Sequence, residues 1–199
     1  MDPLSLIFSI IILIMSVVLH ELSHGYAAVA LGDPTPRLQG RLTLNPLKHL
    51  DPVGSVIVPI VTSFFGFTFG WAKPVQWNPY NLKNRRSGEL LIAAAGPACN
   101  FLIAIVFSLV IRFVPISDAF VQICSYVVMI NIVLGLFNLV PLPPLDGSHI
   151  LFSALPARLS GARMIIERYS IFFLLIALFF IWPLISPLIY VLFHALTGV

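Results

Sequence analysis

Residues 4–31, LSLIFSIIILIMSVVLHELSHGYAAVAL, form one nearly unbroken apolar run, and this run decides the fold. A helix of that length, at about 1.5 Å per residue, exceeds the roughly 30 Å of hydrocarbon in a bilayer. The run therefore predicts a membrane-spanning helix. We expect it to be retained and not removed as a signal peptide, because its only early charge is Asp2 and its apolar stretch is too long.

The motif His20-Glu21-Leu22-Ser23-His24 lies inside this run. A chance match to such a motif would normally fall on a solvated helix, whereas an acidic residue at membrane depth costs roughly 2.5–3.5 kcal/mol and is functional by default. Residues at i and i+4 share a helix face, so His20 and His24 point the same way. Two neutral imidazoles can bind one zinc ion, and Glu21 between them can act on a nearby water. The pattern predicts a metallohydrolase site inside a membrane.

Composition places the whole chain in the membrane class. Of 199 residues, 59% are hydrophobic and 10% are charged. A soluble domain carries about a quarter charged residues, so we predict an all-α polytopic membrane protein with one membrane-embedded domain over residues 1–199. The net charge of +3 is small. Its basic residues flank apolar segments, which favours a role in membrane orientation over nucleic-acid binding.

Other apolar stretches at residues 88–113, 119–141 and 169–197 are each long enough to cross a bilayer. The last contains two prolines and is either one kinked span or a span followed by a short interfacial helix. A shorter stretch, 53–69, is interrupted by Pro59 and two glycines. We therefore expect about four to six transmembrane helices, depending on whether 53–69 crosses.

Loop charges decide how residues 53–69 are placed. If the stretch crosses the membrane, the best split of the 11 lysines and arginines is 7 against 4. If it enters and returns, all of them but Arg112 share the cytoplasmic side, as the positive-inside rule favours. We therefore predict a re-entrant hairpin, an outside N-terminus, and a histidine pair roughly 10–16 Å from the cytoplasmic end of the first helix.

A catalytic zinc site needs a third protein ligand, and Asp146 is the favoured donor. It lies in the loop 142–155, where a cluster of prolines ends the preceding helix and forces extended backbone. Such backbone at membrane depth is expected to line a cavity. Asp146 could instead cap the short helix that follows, and His149 and His49 stay open as rival ligands.

Two asparagines are candidates for stabilising the oxyanion of peptide hydrolysis. A side-chain amide suits this role because it donates a hydrogen bond without titrating. Asn138 and Asn100 both lie in apolar segments. Each could equally form a hydrogen bond between helices, which is a common role of intramembrane asparagine.

The substrate must present an extended peptide bond, because a helix engages its carbonyls in hydrogen bonds. Residues 73–79 contain β-formers between prolines, and either they or residues 34–44 could bind unwound substrate by strand addition. The competing interpretation is a connecting loop in which Trp71 and Trp77 anchor the chain at the membrane interface.

Taken together, the motifs resemble the site-2 protease family of intramembrane zinc metalloproteases, the M50 peptidases. Members share H-E-x-x-H in one transmembrane helix and N-x-x-P-x-P-x-x-D-G in another, and the second motif is residues 138–147 here. An A-G-P-x-x-N stretch typical of the intervening helix is residues 95–100. The resemblance runs from about residue 10 to residue 155.

The resemblance implies one zinc ion per chain, bound by His20, His24 and Asp146, with Glu21 as the catalytic acid and base. It also implies a small membrane-associated β-region at residues 34–52, and it places the chain in the minimal branch without PDZ or CBS domains. The implied function is hydrolysis of a peptide bond in or near a transmembrane segment of a substrate protein. We expect the chain to lie in the cell (inner) membrane, and the loop charges predict an active site towards the cytoplasm.

Two other functions stay open from the residues alone. One is a zinc transporter, although a transporter needs polar groups along a whole path and the intramembrane charges here cluster in one place. The other is a catalytically inactive scaffold of the same fold, although every group that hydrolysis requires is present.

Overall fold

The computed structural model describes residues 3–64, 72–155, 164–166, 168–170, 172 and 180–198. Within these ranges the chain is helical and contains no strand. The bounded α-helices, in chain order, are α1 (Pro3–Ala30), α2 (Thr35–Leu38), α3 (Val58–Ser63), α4 (Arg85–Phe113), α5 (Asp118–Asn138), α6 (Asp146–Ala154) and α7 (Trp182–Thr197).

Three of these helices, α1, α4 and α5, are long and apolar enough to cross a membrane. Large apolar side chains along them stay exposed, among them Ile7 on α1 and Leu102 on α4. An exposed apolar surface of this kind suits contact with lipid, since a soluble domain would bury it. Helix α7 is also apolar but shorter, at 16 residues.

Helix α4 is the centre of the packing, because it contacts α1, α5, α6 and α7. Where α4 meets α5 and α7, the buried core consists of Ala104, Val128, Ile132 and Ile189. Gly135 of α5 brings the two backbones close, since a Cβ there would lie 3.0 Å from the Phe101 ring. Helices in lipid commonly pack through small residues that let their backbones approach closely, because the hydrophobic effect does not drive their association there.

Helix bounds differ slightly from the expected spans for reasons of local chemistry. Helix α4 begins at Arg85, three residues before the predicted start, because the Asn84 side chain caps it by accepting from the Ser87 N–H. Helix α5 ends at Asn138, three residues before the predicted end at 141, ahead of the proline-rich loop.

The prediction of a β-region at residues 34–52 is wrong, because the structure has no strand there. Helix α2 and a 3₁₀ helix, Pro46–Lys48, occupy the segment instead. The physical reason is proline: Pro34, Pro36 and Pro46 lack an N–H for a strand ladder and fix φ at values that suit helix starts.

The predicted hairpin at 53–69 falls only partly on described residues. Its first part is a π-helical turn, Val53–Ile57, followed by α3. Residues 65–69, with Trp71, lie outside the described residues. The predicted C-terminal stretch 169–197 is described as α7 and a few residues before it.

Asp33, three residues after the last residue of α1, joins the end of that helix to the segment before α4. Its carboxylate accepts hydrogen bonds from the Thr35 hydroxyl at 2.5 Å, the Asn78 N–H at 2.6 Å and the Asn81 side-chain amide at 2.7 Å. The residue is fully buried. Burial alone would raise the pKa of this carboxyl, but the hydrogen bonds, that from Thr35 first, outweigh it and hold the pKa below its ordinary value.

We predict that Asp33→Asn lowers the free energy of unfolding by roughly 2–3 kcal/mol at pH 7, because charge-assisted hydrogen bonds are lost. A depressed folded-state pKa gives stability that is present above the unfolded value of about 3.9 and is lost as the pH falls through the folded value. The gap in melting temperature between wild type and variant in detergent should therefore narrow below about pH 4.

Asp118→Asn is the matched control, because Asp118 is exposed at the start of α5. It removes the same charge without these hydrogen bonds and should leave the melting temperature nearly unchanged. An Asp33→Asn protein as stable as the Asp118→Asn protein at pH 7 would contradict the role given to Asp33.

Candidate metal centre

Three ligand atoms from distant parts of the chain meet in the helix bundle. His20 and His24 lie one turn apart on α1, and Asp146 is the first residue of α6. Oδ2 of Asp146 lies 3.0 Å from Nε2 of His20 and 3.3 Å from Nε2 of His24, and the two Nε2 atoms are 3.0 Å apart. Both histidines are buried.

The outward ring nitrogens of the histidines are engaged elsewhere. Nδ1 of His24 lies 2.6 Å from the Ile92 carbonyl oxygen of α4. Because a carbonyl only accepts, Nδ1 carries a proton, and in the neutral ring Nε2 then keeps a lone pair. Nδ1 of His20 lies 2.5 Å from Oδ1 of Asn100, which accepts in the same way. Both Nε2 lone pairs therefore point towards Asp146.

Oδ2 of Asp146 is buried and accepts no hydrogen bond, although two ring nitrogens surround it. Three lone pairs facing one another repel unless a cation lies among them. With zinc bonds of about 2.0–2.1 Å, tetrahedral ligand atoms are separated by about 3.3 Å, close to the distances found. Two imidazoles with a carboxylate are also a known donor set of catalytic zinc, so the residues fit this metal.

Two glycines allow the elements of the cluster to approach. A Cβ on Gly96 of α4 would lie 2.6 Å from Cε1 and Nε2 of His20, and closer still to Nε2 of His24. A Cβ on Gly147 of α6 would collide with the carbonyl oxygens of Leu139 and Val140. Only glycine permits contacts of this kind, so α4 and the loop after α5 can reach the histidines.

Helix α6 is fixed at its other end by Arg86 of α4. The guanidinium donates to the carbonyl oxygens of Ser153 and Ala154, the second at 2.6 Å. These carbonyls belong to the last turn of α6, where helical partners are lacking. Asp146 therefore projects from a helix that is anchored at both ends to the start of α4 and the end of α5.

Glu21 lies beside the cluster and faces the segment before α4. Its Oε2 accepts a hydrogen bond of 2.7 Å from the backbone N–H of Val75. Val75 itself is buried. Residues 73–79, one of the two segments that we expected to contact substrate, thus contact the candidate catalytic carboxylate through Val75.

The other candidates are placed differently. Asn100 is buried against His20, and Asn138 donates to the Leu134 carbonyl of its own helix at 3.0 Å. His49 contacts the Thr43 carbonyl oxygen, and the His149 ring lies edge-on to a tryptophan. Of the three possible third ligands, the described part of the chain brings only Asp146 to the histidine pair.

Sequence reasoning missed the N–H of Val75 as the partner of Glu21, and it missed Asn131 altogether. Asn131 is fully buried and accepts from the Asn100 amide at 2.8 Å. A polar residue in an apolar helix was the available signal for Asn131. No local signal marks the amide of Val75, because its role depends on tertiary contact.

Comparison with known proteins finds one peptidase family model and several relatives that are named zinc metalloproteases. The profile of "Peptidase family M50" matches residues 115–182. "Putative zinc metalloprotease YwhC" of Bacillus subtilis (strain 168) is 37% identical over 203 residues, covering 97% of this chain and 89% of that protein. "Zinc metalloprotease MJ0392" of Methanocaldococcus jannaschii is 31% identical over 141 residues, covering 71% of this chain and 32% of that protein. No solved structure matches the chain significantly.

The cluster of possible metal ligands between long apolar helices, together with the family model and the relatives named zinc metalloproteases, places the protein in the class of membrane zinc metalloproteases. Identity to the YwhC protein extends over almost the entire chain. The chain accordingly belongs to the site-2 protease family, peptidase family M50.

We predict that Gly96→Ala strongly reduces zinc binding, because the added methyl group would collide with both imidazoles. Zinc bound per purified chain, measured by elemental analysis after dialysis against a weak chelator, should fall well below the wild-type value. The melting temperature, recorded in the same detergent, separates a folded metal-free protein from an unfolded one.

Gly135→Ala is the matched control, since the three atoms nearest to its Cβ would all belong to the ring of Phe101, at 3.0–3.2 Å. This variant crowds a helix contact without touching a ligand and should retain zinc. Equal zinc content in the Gly96→Ala and Gly135→Ala proteins would contradict the close approach of α4 to the cluster.

Proposed function

We propose that the protein is an intramembrane zinc metalloprotease that hydrolyses a peptide bond in or near a transmembrane segment of another protein. The observation that carries the proposal is a cluster of three possible ligand atoms about 3 Å apart: Nε2 of His20, Nε2 of His24 and Oδ2 of Asp146. Glu21 lies on the same helix as the two histidines. His20, His24 and Asp146 would hold one zinc ion per chain. When bound, zinc supplies Lewis-acid polarisation of the scissile carbonyl and acidifies water.

Glu21 is the proposed catalytic acid and base. Its carboxylate takes a proton from the attacking water and then delivers that proton to the leaving amine. The hydrogen bond from the Val75 N–H to Oε2 fixes the direction of the carboxylate. A carboxylate held in this way spends no free energy on reorientation during the reaction.

The proposed oxyanion donor is Asn138. It ends α5, at the start of the loop that leads to Asp146, and its amide has a second N–H besides the one given to Leu134. Asn100 suits this role less well, because it is fully buried and both ends of its amide are engaged. We propose that Asn100 orients His20.

The proposed orientation puts the cluster towards the cytoplasm. The end of α1, the start of α4 and the end of α5 meet at the cluster, so these termini share one side of the bundle. Basic residues also gather at that side: Arg37, Arg41, Lys48, Lys73, Lys83, Arg85 and Arg86 all lie between α1 and the first turn of α4. Arg112 lies at the opposite end of α4. This distribution supports the positive-inside assignment and a re-entrant segment at 53–69.

The proposed substrate is a membrane-spanning helix that unwinds near the cytoplasmic face. Residues 72–78 have no regular secondary structure, and Val75 among them contacts Glu21. Backbone next to the catalytic carboxylate can receive an extended substrate by strand addition. The bilayer delivers such a substrate laterally between apolar helices.

The decisive variant is Glu21→Gln. We expect wild-type protein in detergent to cleave members of a panel of single-span membrane peptides, and the variant to lose about 10²–10⁴-fold in rate because it has no general base. Both should carry about one zinc per chain, since Glu21 is not a ligand in the cluster.

Glu89→Gln is the matched control, because Glu89 is a buried carboxylate that pairs with Arg85 and is not part of the ligand cluster. It should cleave like wild type. Zinc on all three proteins with cleavage by none would contradict the protease, and zinc flux into liposomes would then identify a transporter.

The amide of Val75 is testable with a pair of variants. Val75→Pro removes the N–H that Glu21 accepts, whereas Val75→Ala keeps it and removes only side-chain packing. We expect the proline variant to cleave peptides at least about tenfold more slowly than the alanine variant, with zinc content equal in both. Equal cleavage rates would show that this backbone contact does not serve catalysis.

A further inference from the structure

Three helices are joined behind the metal cluster by a continuous chain of buried hydrogen bonds. His20 of α1 contacts Asn100 of α4 at 2.5 Å, and the amide of Asn100 donates to Oδ1 of Asn131 of α5 at 2.8 Å. The amide of Asn131 lies 2.9 Å from the Val127 carbonyl oxygen and 2.9 Å from the Ser16 hydroxyl of α1. Both asparagines are 0% exposed.

The chemistry of these groups allows only one direction along the chain. The Val127 carbonyl can only accept, so the NH₂ end of Asn131 must face it and Oδ1 must face Asn100. Oδ1 of Asn131 can only accept, so the NH₂ end of Asn100 must face it. The amide oxygen of Asn100 then faces His20.

The consequence for His20 concerns its ring protons. An amide oxygen accepts and cannot donate, so Nδ1 of His20 must carry the proton. The neutral imidazole then keeps its lone pair on Nε2, which is the atom 3.0 Å from Asp146. The backbone carbonyl of Val127 therefore sets the tautomer of His20 through two intervening amides.

We propose that Asn131 is a positioning residue for metal binding, which acts through Asn100 to fix the ring orientation and tautomer of His20. This inference rests on the proposed function, since it assumes that His20 is a zinc ligand. Residues that orient a metal-bound histidine typically change metal affinity by about 10–100-fold when removed. Asn131 is one step further away than Asn100, and its effect must pass through Asn100.

Ser16 is not the anchor of the chain. A hydroxyl can donate or accept, so it cannot dictate the direction of the Asn131 amide. Ser16→Ala removes one hydrogen bond from Asn131 and leaves the Val127 carbonyl in place. Ser16→Ala is therefore a control variant: it removes a buried hydrogen bond from Asn131 but leaves the Asn131 amide oriented by Val127.

The test is a double-mutant cycle on zinc affinity, measured in detergent by competition with a chromogenic chelator. We expect Asn131→Leu to weaken zinc binding about tenfold in the wild-type background. In an Asn100→Leu background the same change should have no further effect, because the path to His20 is already broken. Ser16→Ala should bind zinc as the wild type does.

Asn131→Ser is a second variant that keeps the test valid if Asn131→Leu fails to fold. A serine in a helix forms a hydrogen bond to the carbonyl four residues earlier, as Ser125 does to Val121 in α5, so Val127 stays paired while Asn100 is out of reach. It should reproduce the zinc loss of Asn131→Leu, whatever the melting temperatures. Wild-type zinc affinity in both variants, or equal losses in both backgrounds, would overturn the positioning role. Wild-type protein without zinc would instead overturn the proposed function, and this inference with it.

Discussion

The arrangement of the bundle depends on one electrostatic constraint: three buried lone pairs converge within about 3.3 Å in an apolar surrounding. Such a group is strongly unfavourable in lipid without a cation, and it is favourable around one. The parts of α4 that contact the two histidines either let the donors approach or satisfy the remaining polar atoms of the rings. The Ile92 carbonyl and Asn100 accept the outward N–H groups, so the lone pairs left over all face inward.

The cluster also requires that α4 and α6 approach their neighbours closely, and this approach depends on the small size of the residue at two positions. Helix α4 can lie against both imidazoles only because residue 96 has no side chain, and α6 can start beneath the end of α5 only because residue 147 has none. Arg86 then fixes the far end of α6, and Asp33 fixes the segment that carries Val75. The candidate ligand cluster and Glu21 are thus held by separate sets of contacts, one within the bundle and one at its end.

The sequence was most informative where residues that are costly in a membrane interrupt an apolar segment. Ionisable groups within an apolar run identified the histidine pair, and a proline-rich interruption identified Asp146, because both are costly at membrane depth unless they serve a site. The expected β-region failed because prolines at positions 34, 36 and 46 favour helix starts, a local signal that the family resemblance obscured. The Val75 amide was not predictable, since its partner lies 54 residues away in the chain. Asn131 carried the signal of a polar residue in an apolar helix, but its partner Asn100, 31 residues away, was not predictable. The sequence also leaves the roles of Asn100 and Asn138 open, and the hydrogen-bond partners of the two amides are what supports proposing different roles for them.

The central claim is that two imidazoles and one carboxylate bind zinc inside the bundle. X-ray absorption spectroscopy at the zinc edge of the purified, zinc-loaded protein tests it most directly, because it reports the donor atoms themselves. The account predicts four-coordinate zinc with two imidazole nitrogens and oxygen donors at about 2.0–2.2 Å, and no sulfur. A sulfur shell near 2.3 Å, which would implicate Cys99 or Cys124, or a shell with no imidazole signature, would contradict the account.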